Sequence, residues 1–129
     1  MVCVSRSHKA NHYGTLVEKK ICRKRRFDLA RSSWKDAEFQ NGTPVEIKST
    51  MAVHSDGQPG TFKLYRKYHD RLREAEGWYC FAVYKVRGRG VTIVADKLVR
   101  AAEVPLLRWH GGGDHRETQQ AKIAISDLF

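Results

Sequence analysis

Acidic residues are scarce in this 129-residue chain. The sequence holds 14 Asp and Glu against 24 Lys and Arg, so its formal net charge is +10 and its isoelectric point lies near 9.8. A surplus of this size attracts polyanions, of which nucleic acid is the commonest. The positive charge therefore favours a nucleic-acid partner. Binding to an acidic membrane surface and simple solubility are the less favoured explanations.

Cysteine is also scarce, and the three residues present, Cys3, Cys22 and Cys80, form no CxxC pair. The odd count and the spacing argue against a disulfide framework and against a cysteine-based zinc site. Reduced thiols in an intracellular setting fit this pattern best.

Long apolar runs are missing as well. No segment is apolar over the roughly 20 residues that are needed to cross a bilayer, and residues 1–14 lack the apolar core of a signal peptide. We therefore expect a soluble protein that makes no use of a membrane. It would act in the cytoplasm of a cell or of a virus-infected cell.

The length suits one folded domain that can bury a core. We expect a polar N-terminal arm over residues 1–13, a core over residues 14–98 and a C-terminal tail over residues 99–129. No internal repeat or linker divides the chain.

Apolar periodicity assigns the elements of this core. The predicted elements are, in order, a helix over 14–26, strand-like sequence over 27–50 with a hairpin turn at Asn41-Gly42, a helix over 62–76, a strand over 78–86 that is buried on both faces, a strand over 91–95, a short helix over 96–102 and a strand over 122–125. The core order αβββαβ predicts an α/β fold in which helices flank one mixed central sheet.

The second arm of the predicted hairpin alternates between apolar and charged residues. Val45 and Ile47 face one side, toward the core, and Glu46 and Lys48 face the other side together. Asp36 lies on the first arm, so that its carboxylate can converge with that of Glu46.

Two carboxylates and a lysine suit metal-assisted hydrolysis of a phosphodiester. Asp36 and Glu46 would supply the carboxylate oxygens that Mg²⁺ prefers, and the backbone carbonyl of Ile47 is placed to be a third ligand. The ion neutralises phosphate charge and lowers the pKa of the attacking water. Lys48 would orient that water, stabilise the transition state or, in its neutral form, act as a base. The sequence leaves these roles open.

This pattern resembles a known family. Glu46-Ile47-Lys48, ten residues after Asp36, is similar to the D…ExK signature of the PD-(D/E)xK nucleases. Gly14-Thr-Leu-Val-Glu18 is similar to the GxxxE element of archaeal Holliday junction resolvases. The resemblance extends over about residues 14–98.

The resemblance implies a restriction-endonuclease-like core and an Mg²⁺-dependent endonuclease, with Mn²⁺ as a substitute ion. It implies that Glu18 joins Asp36 and Glu46 at the metal. It also implies cleavage of branched DNA by a homodimer, because a resolvase must cut two strands symmetrically. Asp28 remains an alternative to Asp36, since the aspartate of the family often follows an apolar strand.

Basic residues around these elements are expected to hold DNA phosphates. They are Lys19, Arg23, Arg25, Arg26, Lys63, Arg87 and Arg89. A glycine-rich loop with His110, Asp114 and His115 is a weaker candidate for binding metal or phosphate.

Two alternatives to a junction resolvase remain. The first is a restriction-type or repair-type DNA nuclease with the same site and a different substrate. The second is a non-catalytic nucleic-acid-binding module, in which Glu18, Glu46 and Lys48 are ordinary surface charges.

Overall fold

The computed structural model describes residues 6–32, 34–54, 56–105, 107–111 and 118–129. These residues form two helices, seven strands and two short 3₁₀ turns. In chain order the elements are α1 (Arg6–Arg25), β1 (Asp28–Ser32), β2 (Lys35–Glu38), β3 (Pro44–Met51), β4 (Thr61–Tyr65), α2 (Arg66–Glu74), β5 (Trp78–Arg87), β6 (Gly90–Arg100), a 3₁₀ turn (Ala101–Glu103), β7 (Gln120–Ala124) and a second 3₁₀ turn (Ile125–Asp127). Neither helix is long and apolar enough to cross a bilayer.

Five strands form one mixed sheet in the order β1-β2-β3-β5-β6. β3 and β5 run parallel, from Val45 beside Trp78 to Met51 beside Tyr84, and the other neighbouring strands are antiparallel. The connection between the two parallel strands contains β4 and α2. The predicted mixed sheet with flanking helices is confirmed, with β4 as an additional strand before the second helix.

The turn between β2 and β3 is the hairpin turn that Asn41-Gly42 predicted. Gly42 has a φ of +88°, a conformation that glycine adopts without steric cost. The amide of Thr43 donates to the side-chain oxygen of Asn41 at 3.0 Å. This turn sets the register in which Ala37 lies opposite Val45.

β5 separates two hydrophobic clusters, because its side chains alternate between the two faces of the sheet. Cys80 and Ala82 pack with Val17 and Ile21 of α1 on one face. Side chains of α2, β4 and β7 cover the other face; these include Phe62, Leu64, Leu72 and Ile123. The prediction of a strand buried on both faces is confirmed.

β4 and β7 form a separate antiparallel pair, the β4–β7 ribbon. The prediction of a helix over residues 62–76 is therefore wrong for residues 62–65. Phe62 and Leu64 are buried, whereas Thr61 and Lys63 are exposed, and this alternation is typical of a half-buried strand. The helical spacing of Tyr65, Tyr68 and Leu72 extended the predicted helix over this strand.

Two other boundaries differ from the predictions. α1 begins at Arg6, so residues 6–13 are helical and are not a loose arm, and Tyr13 packs against the first cluster beside Tyr84. β6 continues to Arg100, where a short helix was predicted. It pairs with β5 along its length, and the Asp96 carboxylate accepts hydrogen bonds from Lys24 and Arg25 of α1.

Gly60 lies where the chain enters β4. A β-carbon at this position would collide with the carbonyl oxygen of Met51 and with the side chain of Thr50. The missing side chain therefore lets the start of β4 lie against the end of β3. This matters because both strands contribute residues to the cavity described below.

Replacement of this glycine tests the close approach. Gly60→Ala should lower the free energy of unfolding by about 1–3 kcal/mol, because a backbone atom must move. Gly14→Ala is the control: its β-carbon meets no described atom within 4 Å, and alanine favours a helix by up to about 1 kcal/mol. Urea denaturation measures both variants. A Gly60→Ala protein as stable as wild type would contradict the close approach.

Candidate active site

β2 and β3 separate at Asp36. Their backbone pairing ends where Ala37 lies opposite Val45. The amide of Ile47 donates its hydrogen bond to Oδ2 of the Asp36 carboxylate, at 2.9 Å. No described strand pairs with this side of β3 beyond Val45. Because the N–H and C=O groups of one strand residue point to the same side, the carbonyl of Ile47 also faces this open edge.

Glu46 lies next to Asp36 and is only 8% exposed. Its pKa is raised from 4.5 to about 9 by burial, by a hydrogen bond with the Asp36 carboxyl group and by the charges of Asp36 and Glu18, against an opposing effect of Lys48. Two adjacent carboxyl groups with little water cannot both carry charge at low cost. Glu46 therefore keeps its proton at neutral pH in the metal-free protein.

Lys48 extends from the same face of β3. Its Nζ lies 3.8 Å from Oε2 of Glu46 and 5.7 Å from the centre of the Tyr65 ring. The ring face attracts the ammonium group, and the lysine side chain is 22% exposed. These two contacts place the ammonium group beside the Glu46 carboxyl group and within reach of solvent.

A cavity of about 450 Å³ opens beside Lys48, between α1 and β4, and neither Asp36 nor Glu46 is among the described residues that line it. Its lining combines backbone and side chains from three elements. The lining residues are Gly14, Thr15, Glu18, Ile47, Lys48, Ser49, Thr61, Lys63 and Tyr65.

Glu18 reaches the cavity from α1. Burial, followed by the charges of Glu18 and Asp36, raises the pKa of the Cys22 thiol to about 11, so both carboxylates lie near one buried thiol. Across the described ranges, no three His, Cys, Asp or Glu side chains converge closely enough to hold a metal ion. Glu18 therefore lies beside the Asp36–Glu46 pair without forming a three-carboxylate cluster with it.

The donor groups fit a hard divalent cation. Asp36 and Glu46 offer carboxylate oxygens, and Ile47 offers a backbone carbonyl at the same strand edge. Mg²⁺ is commonly held by one or two carboxylates while water or phosphate fills its other positions. A cation at this edge would also offset the repulsion that keeps Glu46 protonated.

Asp28 does not reach this group of residues. It lies exposed at the start of β1, opposite Glu38, and it is not among the groups that act on the pKa of Glu46. Of the two aspartates that the sequence left open, the structure brings Asp36 to Glu46.

The basic residues predicted to hold DNA lie in different surroundings. Lys63 lines the cavity. Arg25 binds Asp96, with its Nε 2.7 Å from Oδ1, so part of its charge is neutralised within the protein. The others on α1 and just after it are exposed: Lys19, Arg23 and Arg26.

Arg87 is the last residue of β5, and Arg89 lies in the turn that leads to β6. Glu46 is paired with Tyr79, eight positions before Arg87; at about 3.3 Å per strand residue, the two arginines are roughly 26 Å or more along the sheet from its backbone. A phosphate held at this turn is therefore not the one that would be cut.

Sequence reasoning missed Tyr65 as a residue of the site, because its spacing from Tyr68 and Leu72 indicated a helix core. The alternation along β4 was the signal that could have revealed it. The buried His69 is not part of this site: its Nδ1 lies 2.8 Å from the Tyr79 hydroxyl, burial lowers its pKa, and it is not among the residues that line the cavity.

Of the three residues predicted in the glycine-rich loop, the structure describes only one. Asp114 and His115 lie outside the described residues. His110 forms a two-way backbone bridge with Gln120, away from the carboxylates.

The sequence matches the PD-(D/E)XK nuclease superfamily domain over residues 4–129. No protein of curated function matches the chain, and no solved structure does. The match covers nearly the whole sequence, and the chain belongs to the PD-(D/E)XK nuclease superfamily. Its mixed sheet with flanking helices is consistent with the restriction-endonuclease-like fold of these nucleases, which typically use divalent metal ions.

The raised pKa of Glu46 makes stability depend on pH. In the folded, metal-free protein Glu46 keeps its proton up to about pH 9, whereas an ordinary glutamate loses it near 4.5. Between these values the folded state binds more protons than the unfolded state, so the free energy of unfolding falls as pH rises. We expect a loss of roughly 2–4 kcal/mol across this window, which is less than the full pKa difference implies because the site can relax.

Glu46→Gln cannot titrate and should lose less stability over the same range. Urea denaturation in EDTA at several pH values measures the difference, with Glu74→Gln on the exposed part of α2 as the matched control. If the Glu46→Gln and Glu74→Gln proteins lose stability in parallel as pH rises, the Glu46 carboxyl group does not keep its proton over this range.

Proposed function

We propose that this nuclease is an Mg²⁺-dependent endodeoxyribonuclease, with Mn²⁺ as a substitute ion. The observation that carries the proposal is the convergence of Asp36, Glu46 and Lys48 at one open strand edge, beside a cavity that Lys48 lines. The surplus of positive charge, +10 overall, supports a nucleic-acid substrate.

In this proposal Asp36, Glu46 and the Ile47 carbonyl hold the cation. When bound, the ion would neutralise phosphate charge and lower the pKa of the attacking water. Glu18, beside the pair, orients water around the ion. Since Lys48 is held within reach of solvent, its ammonium group positions the attacking water and offsets the charge that develops on the phosphate.

Recognition of branched DNA is the finer part of the proposal. It is supported by Gly14 and Glu18, the ends of the GxxxE element, which both line the cavity. A homodimer follows from this substrate, because two strands must be cut symmetrically and a two-fold axis is the simplest arrangement that does so. The nuclease would act in the cytoplasm.

A restriction-type or repair-type nuclease is the alternative with the same chemistry. A non-catalytic DNA-binding module is disfavoured by the position of Glu46, because a buried carboxyl group beside a second one costs stability and contributes nothing to holding DNA.

Cleavage of labelled DNA tests these proposals. Four-way junction, plain duplex and single-stranded DNA are compared in Mg²⁺, Mn²⁺ and EDTA. We expect paired nicks on the junction that need the ion. Glu46→Gln and Lys48→Ala should each lower kcat on the order of 10²–10³-fold, the usual cost of losing one group that stabilises the transition state.

Two exposed residues provide matched controls for charge and for substitution type. Glu74→Gln and Lys85→Ala lie away from the cavity and should leave kcat unchanged. Cleavage of plain duplex in preference to the junction would favour the restriction or repair alternative. If the wild-type protein binds DNA without cutting it, and all four variants bind DNA equally well, the non-catalytic binding module is the remaining explanation.

A further inference from the structure

A second cavity, of about 540 Å³, lies on the C-terminal part of the chain, where the sequence offered only His110 as a weaker candidate for binding metal or phosphate. Its lining residues are mostly basic or polar and come from β7 and the segments on either side of it. They are Arg108, His110, Gln120, Lys122 and Asp127. It contains no residue of the Asp36–Glu46 site, so it is a separate feature.

The β4–β7 ribbon joins this cavity to the candidate active site. In β4 the outward residues Thr61, Lys63 and Tyr65 line the first cavity. In β7 the outward residues Gln120 and Lys122 line the second.

The register places these two sets of residues directly beside each other, with Lys63 opposite Lys122 and Tyr65 opposite Gln120. Neighbouring strands are about 4.8 Å apart. One outward surface thus runs from one cavity to the other without a gap.

Like charges face each other across this surface. Directly opposed like charges destabilise an antiparallel pair, and within the described chain neither Lys63 nor Lys122 forms an ion pair with a carboxylate. Asp127 is the one carboxylate in the lining of the second cavity, and it accepts a hydrogen bond from the amide of Ala124 at 3.2 Å. An anion lying between the two lysines would remove their repulsion.

The segment that carries Arg108 and His110 is fixed in place. Trp109 packs against the second hydrophobic cluster, with its ring centre 5.5 Å from that of His69. The backbone of His110 exchanges two hydrogen bonds with Gln120, at 2.9 and 3.0 Å. Arg108 and His110 flank the inward Trp109 and are both exposed, so their side chains are presented at the cavity.

We propose that the outer face of the β4–β7 ribbon carries one DNA strand away from the active site, with successive phosphates on Lys63 and Lys122 and a further phosphate in the cavity formed by Arg108, His110 and Lys122. The ligand class is the phosphate backbone of DNA. This inference rests on the proposed nuclease function and adds the route of the strand that leaves the site.

Binding of oligonucleotides of two lengths tests the route. Fluorescence anisotropy in EDTA, which prevents cleavage, compares single strands of about 4 and about 12 nucleotides. Lys122→Ala and Arg108→Ala should each weaken binding of the longer strand roughly 3–10-fold and reduce the slope of log K against log salt by about 0.7. Binding of the shorter strand, which fills only the active-site cavity, should not change.

Two control variants and one kinetic measurement make the test specific. Lys85→Ala removes one exposed lysine elsewhere on the sheet and should change affinity less than about twofold. Lys122→Arg keeps the charge and should keep the affinity, which excludes a folding defect at this position. In cleavage of the longer strand, Lys122→Ala should raise KM and leave kcat unchanged.

The outcomes separate this proposal from the function on which it rests. If the wild-type protein cuts DNA, but Lys122→Ala and Arg108→Ala bind the longer strand as well as Lys85→Ala does, the proposed route is overturned and the nuclease function is not. Equal weakening of short and long strands also overturns the route. A wild-type protein that neither binds nor cuts DNA overturns both proposals.

Discussion

One hydrogen bond, from the amide of Ile47 to the carboxylate of Asp36 at 2.9 Å, organises the site. A carboxylate takes a position that a backbone carbonyl would normally occupy in a sheet, so the two strands part and one edge of β3 is left open. The same bond holds Asp36 near Glu46, and strand geometry points the Ile47 carbonyl toward the same open edge. Without this separation β2 would cover this edge of β3.

The arrangement is electrostatically unfavourable in the metal-free protein. Glu46 is buried beside a second carboxyl group, so that its pKa rises to about 9, and this costs stability at neutral pH. Strain of this kind is common at sites that bind ions, since the ligand provides the missing charge. Other parts of the fold offset this loss of stability: the two packed hydrophobic clusters and the ion pairs of Lys24 and Arg25 with Asp96.

Much of the fold and of the site could be predicted from local sequence, because short-range signals determine those parts. The Asn41-Gly42 turn fixes the register that brings Asp36 to Glu46, and strand alternation puts Lys48 on the same face. What failed depended on contacts distant in sequence. β4 became a strand only by pairing with β7, and Asp96 stayed in β6 through contacts with β5 and with α1, 71 residues earlier. The surface that joins the two cavities could not be predicted for the same reason, since only the pairing of β4 with β7 puts Lys63 beside Lys122.

The most direct test of the central claim is to locate a metal ion. Crystals soaked in Mn²⁺ allow the ion to be placed by its anomalous scattering, independently of any activity. We expect one strong peak bounded by the carboxylates of Asp36 and Glu46 and the carbonyl of Ile47, and loss of that peak in Asp36→Asn but not in Asp28→Asn crystals. A peak that persists in Asp36→Asn, or one that lies beside Asp28 or His110 instead, would contradict it.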